Sequence, residues 1–464
     1  MEQLYSWSSV EERVAQTITE WRACAGRPWL GGPHYSVNEQ KKREKAYNQG
    51  FCAVEQEARK APRTQVERLA AKRRIVAIFP HFAAVALGLE GEGIHLLNHG
   101  FLPIGTQLAQ WGKRFDPTLS TADLIQACRN AWTECGLQPL LGEPMHLTPS
   151  TIGYSMLYPY SDNFLDRSDI SRANKLDFSQ RFRNRLRGLN VSAGTPHEAA
   201  VWAMVQLIED EYPRAEFPAV YECLLAIHHA QEMSIAQLGG VGRCSDSELL
   251  RISCAKGGTS VLADACLVRG WLNEDESRLA FEWGALLQLG DDLQDVREDL
   301  NRGSMSLFSR AAAADVPLDD LVTQLLNFSD RVADRMNRMP DGSTALKELL
   351  RMSWRNLILM AVASAPEFFS PAFLAQLDSH SPFRLDFLHA KNRKLTRRKG
   401  LYALLFEAFL EAGDGEIGEL PSVAGCRSHQ LSSNEVESLL RCPVADSVAV
   451  PSESPIETVS LVSV

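Results

Sequence analysis

Two clusters of aspartates at helical spacing are the residues of this sequence best suited to chemistry. The first lies in YPYSDNFLDRSDIS, where Asp162 and Asp166 are four residues apart. On a helix this spacing puts both carboxylates on one face, about one turn apart, where the like charges repel each other. A single pair of this kind is more often a solvated helix face than a binding site. The pair therefore becomes informative only together with a second acidic cluster.

The second cluster is denser and follows an apolar segment, Leu279 to Leu289. In LLQLGDDLQDVREDLNRG a row of carboxylates at four-residue intervals is flanked by two more, and the five are Asp291, Asp295 and Asp299 with Asp292 and Glu298 beside them. A carboxylate row that emerges from a buried helix needs a compensating cation. Oxygen ligands at this spacing suit Mg²⁺, which takes one or two carboxylates together with waters and phosphate oxygens.

The two clusters together predict a magnesium site. The predicted metal ligands, which are also the predicted catalytic residues apart from Asp292, are Asp162, Asp166, Asp291, Asp292, Asp295 and Asp299. Two such rows facing each other would form a diphosphate-binding mouth above an apolar pocket. The cations would neutralise a departing diphosphate, while the pocket would keep water from the resulting allylic cation.

At these residues the sequence resembles the squalene/phytoene synthase branch of the class I isoprenoid synthase superfamily, including the bacterial terpene cyclases that share its motifs. The segment QLGDDLQDVREDLNRG looks like the second metal motif of that family, with its D-x-x-x-D at Asp295 and Asp299 and the basic Arg302 just beyond. The segment from Asp162 to Asp166 stands where the first motif is expected, roughly 130 residues earlier. The doubled Asp291-Asp292 is closer to a prenyltransferase or cyclase D-D-x-x-D than to a standard phytoene synthase.

The segment SCAKGGTSVLADACLV, between the two motifs, is similar to the small-residue segment at which a helix of the family breaks against the substrate. The resemblance implies that Lys256, Gly257 and Gly258 bind substrate, as does Arg302. A glycine pair in a helix costs about 1 kcal/mol per residue relative to alanine, which suggests a packing or active-site reason. An ordinary interhelical turn is an equal alternative. Lys256 could point at diphosphate or at solvent, and its position beside the glycines modestly favours diphosphate.

Aromatic residues crowd the first motif. They are Tyr154, Tyr158, Tyr160 and Phe164. Their π faces could stabilise a carbocation in a substrate pocket, and Tyr158 and Phe164 are the predicted substrate contacts. Ordinary core packing explains the same residues equally well.

The elements that position these residues are predicted to be helices. Apolar residues recur at intervals of three and four, as in Leu318, Leu321, Val322, Leu325, Leu326, Phe328, Val332 and Met336. The same pattern occurs in segments 201–208, 221–235, 260–271, 279–300 and 346–360, and strand-like alternation is scarce. The sequence therefore predicts an all-α fold, which the resemblance makes a single large helical bundle with a central apolar pocket. Ser8 or Ser9 is a predicted helix cap, as is Thr195 before Pro196.

Composition divides the chain into three predicted parts. Residues 1–74 form a charged helical arm, 75–412 the all-α synthase domain, and 413–464 an acidic, disordered tail. The most apolar segment, Ile75 to Leu89, is shorter than the ~20 residues that span a bilayer and contains Pro80 and His81, so we predict a buried core helix there. No transmembrane segment is expected, although peripheral membrane contact stays open.

Charge and cysteine usage restrict the class of protein further. The 48 basic and 58 acidic residues give a net charge of −10, which argues against general nucleic-acid binding. The ten cysteines show no zinc-site spacing, and the acidic N-terminus does not resemble a signal peptide, so a cytoplasmic location with reduced thiols is predicted.

The expected function is that of a Mg²⁺-dependent terpene synthase that ionises a prenyl diphosphate. Within the same superfamily, head-to-head condensation of two prenyl diphosphates, as in squalene or phytoene formation, is the alternative. A second enzyme class, the all-α nucleotide pyrophosphohydrolases, also uses helical carboxylates and Mg²⁺. A helical scaffold that has lost metal binding is the non-enzymatic alternative. Prenyl chain length and oligomeric state do not follow from the sequence.

Overall fold

The structure is a computed structural model that describes residues 7–29, 31–60, 62, 64–167, 169–234, 244–397, 406 and 410, with backbone only at 7, 8, 162, 166 and 396. Every regular element in these ranges is a helix, and none of the described residues belongs to a β-strand. The predicted all-α class is confirmed. The predicted acidic tail, 413–464, lies outside the described residues.

The helices follow one another with short connections. They are α1 (Trp7–Ala23), α2 (Val37–Arg59), α3 (Gln65–Phe82), α4 (Gly91–Leu96), α5 (Leu102–Phe115), α6 (Thr121–Leu140), α7 (Pro149–Asp166), α8 (Arg172–Leu186), α9 (Pro196–Glu211), α10 (Pro218–Ser234), α11 (Asp246–Arg269), α12 (Glu274–Gln294), α13 (Val296–Arg302), α14 (Leu307–Ala313), α15 (Asp319–Asn337), α16 (Thr344–Ser364), α17 (Pro371–Asp378) and α18 (Leu385–Arg397). Two π-helical turns, Ala83–Leu87 and Leu97–Phe101, follow α3 and α4.

The apolar periodicity and one of the two predicted caps agree with these bounds. The segments predicted from spacing coincide with helices α9, α10, α11, α12 with α13, α15 and α16, although segment 260–271 extends two residues beyond α11 and residue 235 lies outside the described residues. The hydroxyl of Thr195 accepts a hydrogen bond from the Glu198 amide, with Pro196 at the first position of α9, as predicted. The cap prediction at Ser8 or Ser9 is wrong, because α1 already begins at Trp7.

The antiparallel pair α11 and α12 forms the centre of the bundle, with α10, α6 and α1 packed on α11 and with α15 and α16 packed on α12. A Cβ atom at Gly257 would lie 2.2 Å from the Gly284 carbonyl oxygen, and one at Gly284 would lie 2.0 Å from that of Gly257. A Cβ atom at Gly258 would lie 2.5 Å from the Phe281 ring. These glycines therefore let the two backbones meet.

The glycine segment does not interrupt its helix, since α11 is continuous from Asp246 to Arg269. The expected helix break and the alternative of an interhelical turn are both wrong. Gly257 and Gly258 face α12, where side chains and backbone fill the space in front of them. Their role is close helix packing, so we no longer place them against a substrate.

The first helix belongs to the same core as the rest of the bundle. Val10, Val14 and Trp21 are buried, and α1 packs against α11, α12 and α15. Arg13 donates to both carboxylate oxygens of Glu274 at the start of α12. The predicted charged arm, residues 1–74, therefore includes a helix, α1, that covers part of α11 and α12.

The segment Ile75 to Leu89 is not the buried core helix predicted from its composition. It forms the end of α3 and the following π-helical turn, Val76 is 47% exposed, and Ala77, Pro80 and Ala84 are exposed as well. Its inner face packs on α2, where Phe82 contacts the rings of Tyr47 and Phe51. In the part of the chain that the structure describes, no helix is long and apolar enough to cross a membrane.

Candidate metal-binding site at the end of α12

Hydrogen bonds between α6, α7 and α11 fix how these helices align. The Thr151 hydroxyl donates to Glu134 Oε1 at 2.6 Å, and the Asn130 amide donates to Ser155 Oγ at 3.2 Å, so α6 and α7 run antiparallel. The same Asn130 amide donates to Asp264 Oδ1 of α11 at 3.0 Å. These contacts place Asn130, Ser155 and Asp264 at the same height along the bundle axis.

One turn further along α7, the Tyr158 hydroxyl lies 2.5 Å from Ser260 Oγ of α11. Because α7 and α11 also run in opposite directions, the next turn of α7 brings the backbone to Asp162 and the next turn of α11 brings it to Lys256. Each turn advances about 5.4 Å. Asp162 and Lys256 are therefore at similar heights on their helices, at the same end of the bundle.

The second motif lies at that end too. The Ser253 hydroxyl of α11 donates to Asp292 Oδ2 at 2.6 Å, and Gln288 Nε2 donates to Asp292 Oδ1 at 2.8 Å. This contact places the acidic end of α12 beside the turn of α11 that contains Lys256. Helix direction thus brings the backbones of both predicted motifs to one end of the bundle.

The structure describes the backbone of the first motif and the side chains of Asn163, Phe164 and Leu165. Asp162 and Asp166 lie in the last turns of α7, and their side chains are outside the described residues. Between them, the amide of Asn163 donates to Asp123 Oδ1 in the first turn of α6 at 2.9 Å. The α7 end is therefore anchored to the start of α6.

Asp295 is the most unusual carboxylate of the second motif. It forms the junction of α12 and α13, and its Oδ1 is buried with no hydrogen-bond partner among the described residues. Burial raises the pKa of Asp295 from 3.8 to about 8, and the charges of Asp291, Asp299, Glu298 and Asp292 add to the effect. A carboxylate with one buried, unpartnered oxygen among four other carboxylates indicates a site that lacks positive charge.

Two neighbouring carboxylates, Asp299 and Glu298, are also partly buried among negative charges. Burial raises the pKa of Asp299 to about 6, helped by the charges of Asp292 and Glu298 and opposed by a hydrogen bond from Ser306. Glu298 Oε2 is buried and has no hydrogen-bond partner in the described structure. Its other oxygen pairs with Arg302 at 2.5 Å, and the Arg302 side chain is 64% exposed. Arg302 is thus a solvent-exposed cation beside the acidic row.

Asp292 is the least available carboxylate of the row, because both of its oxygens already accept hydrogen bonds from Ser253 and Gln288. Burial raises its pKa, and the charge of Lys256 acts in the opposite direction. Lys256 is therefore close enough to the row to affect it. Asp291, Asp295 and Asp299 are therefore the better candidate ligands of this row, and Asp292 belongs to the α11–α12 contact.

The aromatic residues near the first motif divide into packed and accessible ones. Phe164 stacks on His197 with ring centroids 4.3 Å apart and contacts Phe178 at 4.8 Å, which is ordinary packing between α7, α8 and α9. Tyr154 is buried, with its hydroxyl on the Ser260 carbonyl oxygen. Tyr158 and Phe164 are both partly exposed, but the Phe164 ring is packed on His197 and Phe178, so Tyr158 is the better of the two predicted substrate contacts.

Arg129 of α6 belongs to the site although no sequence signal indicated it. Its Nη2 donates to Asp291 Oδ1 at 3.0 Å. The two residues are 162 positions apart, so only the packing of α6 and α12 on α11 brings them together.

A second acidic pair lies deeper in the bundle. Glu134 and Asp264 are 0% and 1% exposed, and Glu134 Oε2 and Asp264 Oδ2 have no partner among the described residues. Burial raises the pKa of both carboxyls well above their ordinary values, and the charge of Asp264 further raises that of Glu134. A proton shared between these two oxygens would satisfy both of them.

The residues at the end of α12 fit a hard cation in donor chemistry, since they supply oxygen ligands that lack positive partners. Among the side chains that the structure describes, no three His, Cys, Asp or Glu residues form a group that could hold a metal ion. The predicted ligand set also needs Asp162 and Asp166, whose side chains lie outside the described residues. The orphaned Asp295 oxygen is the observation that supports the fit.

Comparison of this chain with protein-family models, with curated proteins and with solved structures gives no match.

Proposed function

We propose that this protein is a Mg²⁺-dependent class I isoprenoid synthase that ionises a prenyl diphosphate and releases diphosphate, as a terpene synthase does. The single observation that supports this most strongly is the buried Oδ1 atom of Asp295, which has no hydrogen-bond partner among the described residues and lies among acidic neighbours. Such a group is costly unless a cation binds it. The alignment of α7 with α11 and α12 adds a second acidic pair at the same end of the bundle.

In this proposal the acidic residues of both motifs hold the cations. They are Asp162 and Asp166 on α7, and Asp291, Asp295 and Asp299 on α12 and α13. When bound, Mg²⁺ neutralises the negative charge of the departing diphosphate. Lys256 and Arg302 flank the row, and their positive charges would bind the diphosphate oxygens that the cations leave free.

Tyr158 is the proposed contact for the organic part of the substrate. It is partly exposed, and its hydroxyl is held by Ser260. This contact fixes the ring, so its π face could stabilise a cation in the adjoining space.

Product analysis tests the reaction class. Purified protein is incubated with MgCl₂ and prenyl diphosphates of increasing chain length, and diphosphate release is followed together with products by mass spectrometry. We expect a hydrocarbon or alcohol with the carbon count of the substrate, and no diphosphate release in EDTA. Products with doubled carbon count would instead show head-to-head condensation.

A matched pair of variants separates chemistry from folding. Asp295→Asn removes one ligand charge at nearly constant volume and should abolish diphosphate release while circular dichroism stays unchanged. Asp334→Asn makes the same change on the exposed face of α15 and should leave activity at the wild-type level. Full activity of a folded Asp295→Asn protein, or turnover of nucleoside triphosphates with none of prenyl diphosphates, would refute the proposal.

A further inference from the structure

Arg129 links two walls of the candidate site. It lies on α6, its partner Asp291 lies on α12, and α11 packs against both helices. The Arg129 and Asp291 side chains are 37% and 35% exposed, so the ion pair is accessible to solvent and ligands. The link is thus made at an open position between helices and not inside a packed interface.

Three residues of the candidate site act electrostatically on Arg129. The charge of Asp291 is the main cause that raises the Arg129 pKa, and the charges of Asp295 and Tyr158 act in the same direction. Among the described residues, Asp291 is the one hydrogen-bond acceptor of Arg129. A guanidinium group has five N–H donors, so most of its hydrogen-bonding capacity is unused in this arrangement.

Other arginines of the bundle make contacts of a different kind. Arg335 of α15, for example, donates to Glu282, a carboxylate that is 3% exposed and that also accepts from Arg278. That carboxylate is saturated by its arginines and ties helices together. Asp291, in contrast, is an accessible member of a row that is short of positive charge, so its ion pair with Arg129 can be exchanged at low cost.

We propose that Arg129 is an exchangeable counter-ion: it occupies Asp291 while the site contains no divalent cation, and it turns to the diphosphate group once a cation has taken Asp291. This inference rests on the proposed function. A guanidinium suits both positions, because its planar fork matches carboxylate and phosphate oxygens alike. In the loaded state Arg129 binds diphosphate from the α6 side of the site.

The proposal predicts that removing the guanidinium shifts two affinities in opposite directions. Arg129→Gln removes the group that competes for Asp291, so we expect Mg²⁺ to bind on the order of five-fold more tightly, the scale of an accessible ion pair. The same variant lacks a charged hydrogen-bond donor for phosphate. Inorganic diphosphate, in saturating MgCl₂, should therefore bind about ten-fold more weakly or worse.

Isothermal titration calorimetry with MgCl₂ alone, and with sodium diphosphate in MgCl₂, measures both affinities without relying on turnover. Arg251→Gln is the matched control, because Arg251 pairs with Glu11 of α1 at side-chain exposures of 38% and 35%. That variant should leave both affinities unchanged. Arg129→Lys keeps the charge, so it should leave Mg²⁺ affinity near the wild-type value and weaken diphosphate binding less than Arg129→Gln.

The outcomes separate this inference from the proposed function. If Mg²⁺ fails to bind the wild-type protein, both are refuted. If Mg²⁺ binds and Arg129→Gln changes neither affinity, the exchange is refuted and the proposed function stands. If the folded variant binds both ligands more weakly, Arg129 only supports the shape of the site, and the exchange is again refuted.

Discussion

Replacing Asp295 with asparagine should stabilise the metal-free protein even though it abolishes the proposed activity. Asp295 has a buried oxygen without a partner, and burial and four acidic neighbours raise its pKa from 3.8 to about 8. At pH 7 the folded chain must therefore keep a proton that the unfolded chain has lost. Asparagine is neutral in both states and does not have this cost.

The size of the effect follows from the shift in pKa. Between 3.8 and pH 7, each pH unit costs the folded state about 1.4 kcal/mol, which gives about 4 kcal/mol in total. We expect the variant to gain about 2–4 kcal/mol in the free energy of unfolding, the lower value allowing for rearrangement of the neighbouring carboxylates. Because the folded-state pKa is raised, the contribution of Asp295 to wild-type stability is most favourable below pH 4 and is lost as the pH rises towards about 8.

Urea unfolding in EDTA, followed by circular dichroism at several pH values, measures this gain. The difference between Asp295→Asn and wild type should be small at pH 4 and should increase up to pH 8. Asp334→Asn, at an exposed position on α15, should follow the wild-type curve throughout. An Asp295→Asn protein that is equally or less stable than wild type at pH 7 would show that Asp295 is not an electrostatically strained group.

Two further predictions concern helix packing and the deeper acidic pair. Gly257→Ala would place a Cβ atom 2.2 Å from the Gly284 carbonyl oxygen, so thermal unfolding should show a loss of about 1–3 kcal/mol, whereas Gly93→Ala meets only ordinary contacts 3.6 Å away and should not destabilise. Glu134→Gln removes one of two buried carboxyls whose pKa values are both raised, so the wild-type protein should lose stability with rising pH and the variant should lose less, as denaturant titrations at pH 6 and pH 9 would reveal. Equal slopes with pH in the two proteins would exclude a shared proton between Glu134 and Asp264.

The sequence by itself determined the helical class and the places where many helices lie. Apolar spacing and side-chain caps act between residues three or four positions apart, so they depend on little beyond the local chain. This is why the helices that contain the second acidic motif, and the cap at Thr195, could be predicted. The cap at Ser8 or Ser9 failed because α1 continues through these residues to Trp7.

The tertiary structure decided what the individual residues of those helices do. Gly257 appeared to be a helix break, but its role depends on Gly284, which belongs to the facing helix. The sequence does not distinguish Asp292 from the other aspartates of its row. In the structure, Asp292 accepts a hydrogen bond from Ser253 of α11. The exposed side of α3 likewise depends on what packs against it and not on its apolar composition.

Arg129 is the clearest example of a residue whose contacts depend on the tertiary structure. Nothing in the residues around it distinguishes it from the many other arginines of the chain, and its partner is 162 positions away. Electrostatic and packing interactions depend on distance in space, which a single sequence specifies only through the complete fold. The row of aspartates is therefore recognisable in the sequence, whereas the cationic partner of Asp291 follows only from the packing of both α6 and α12 on α11.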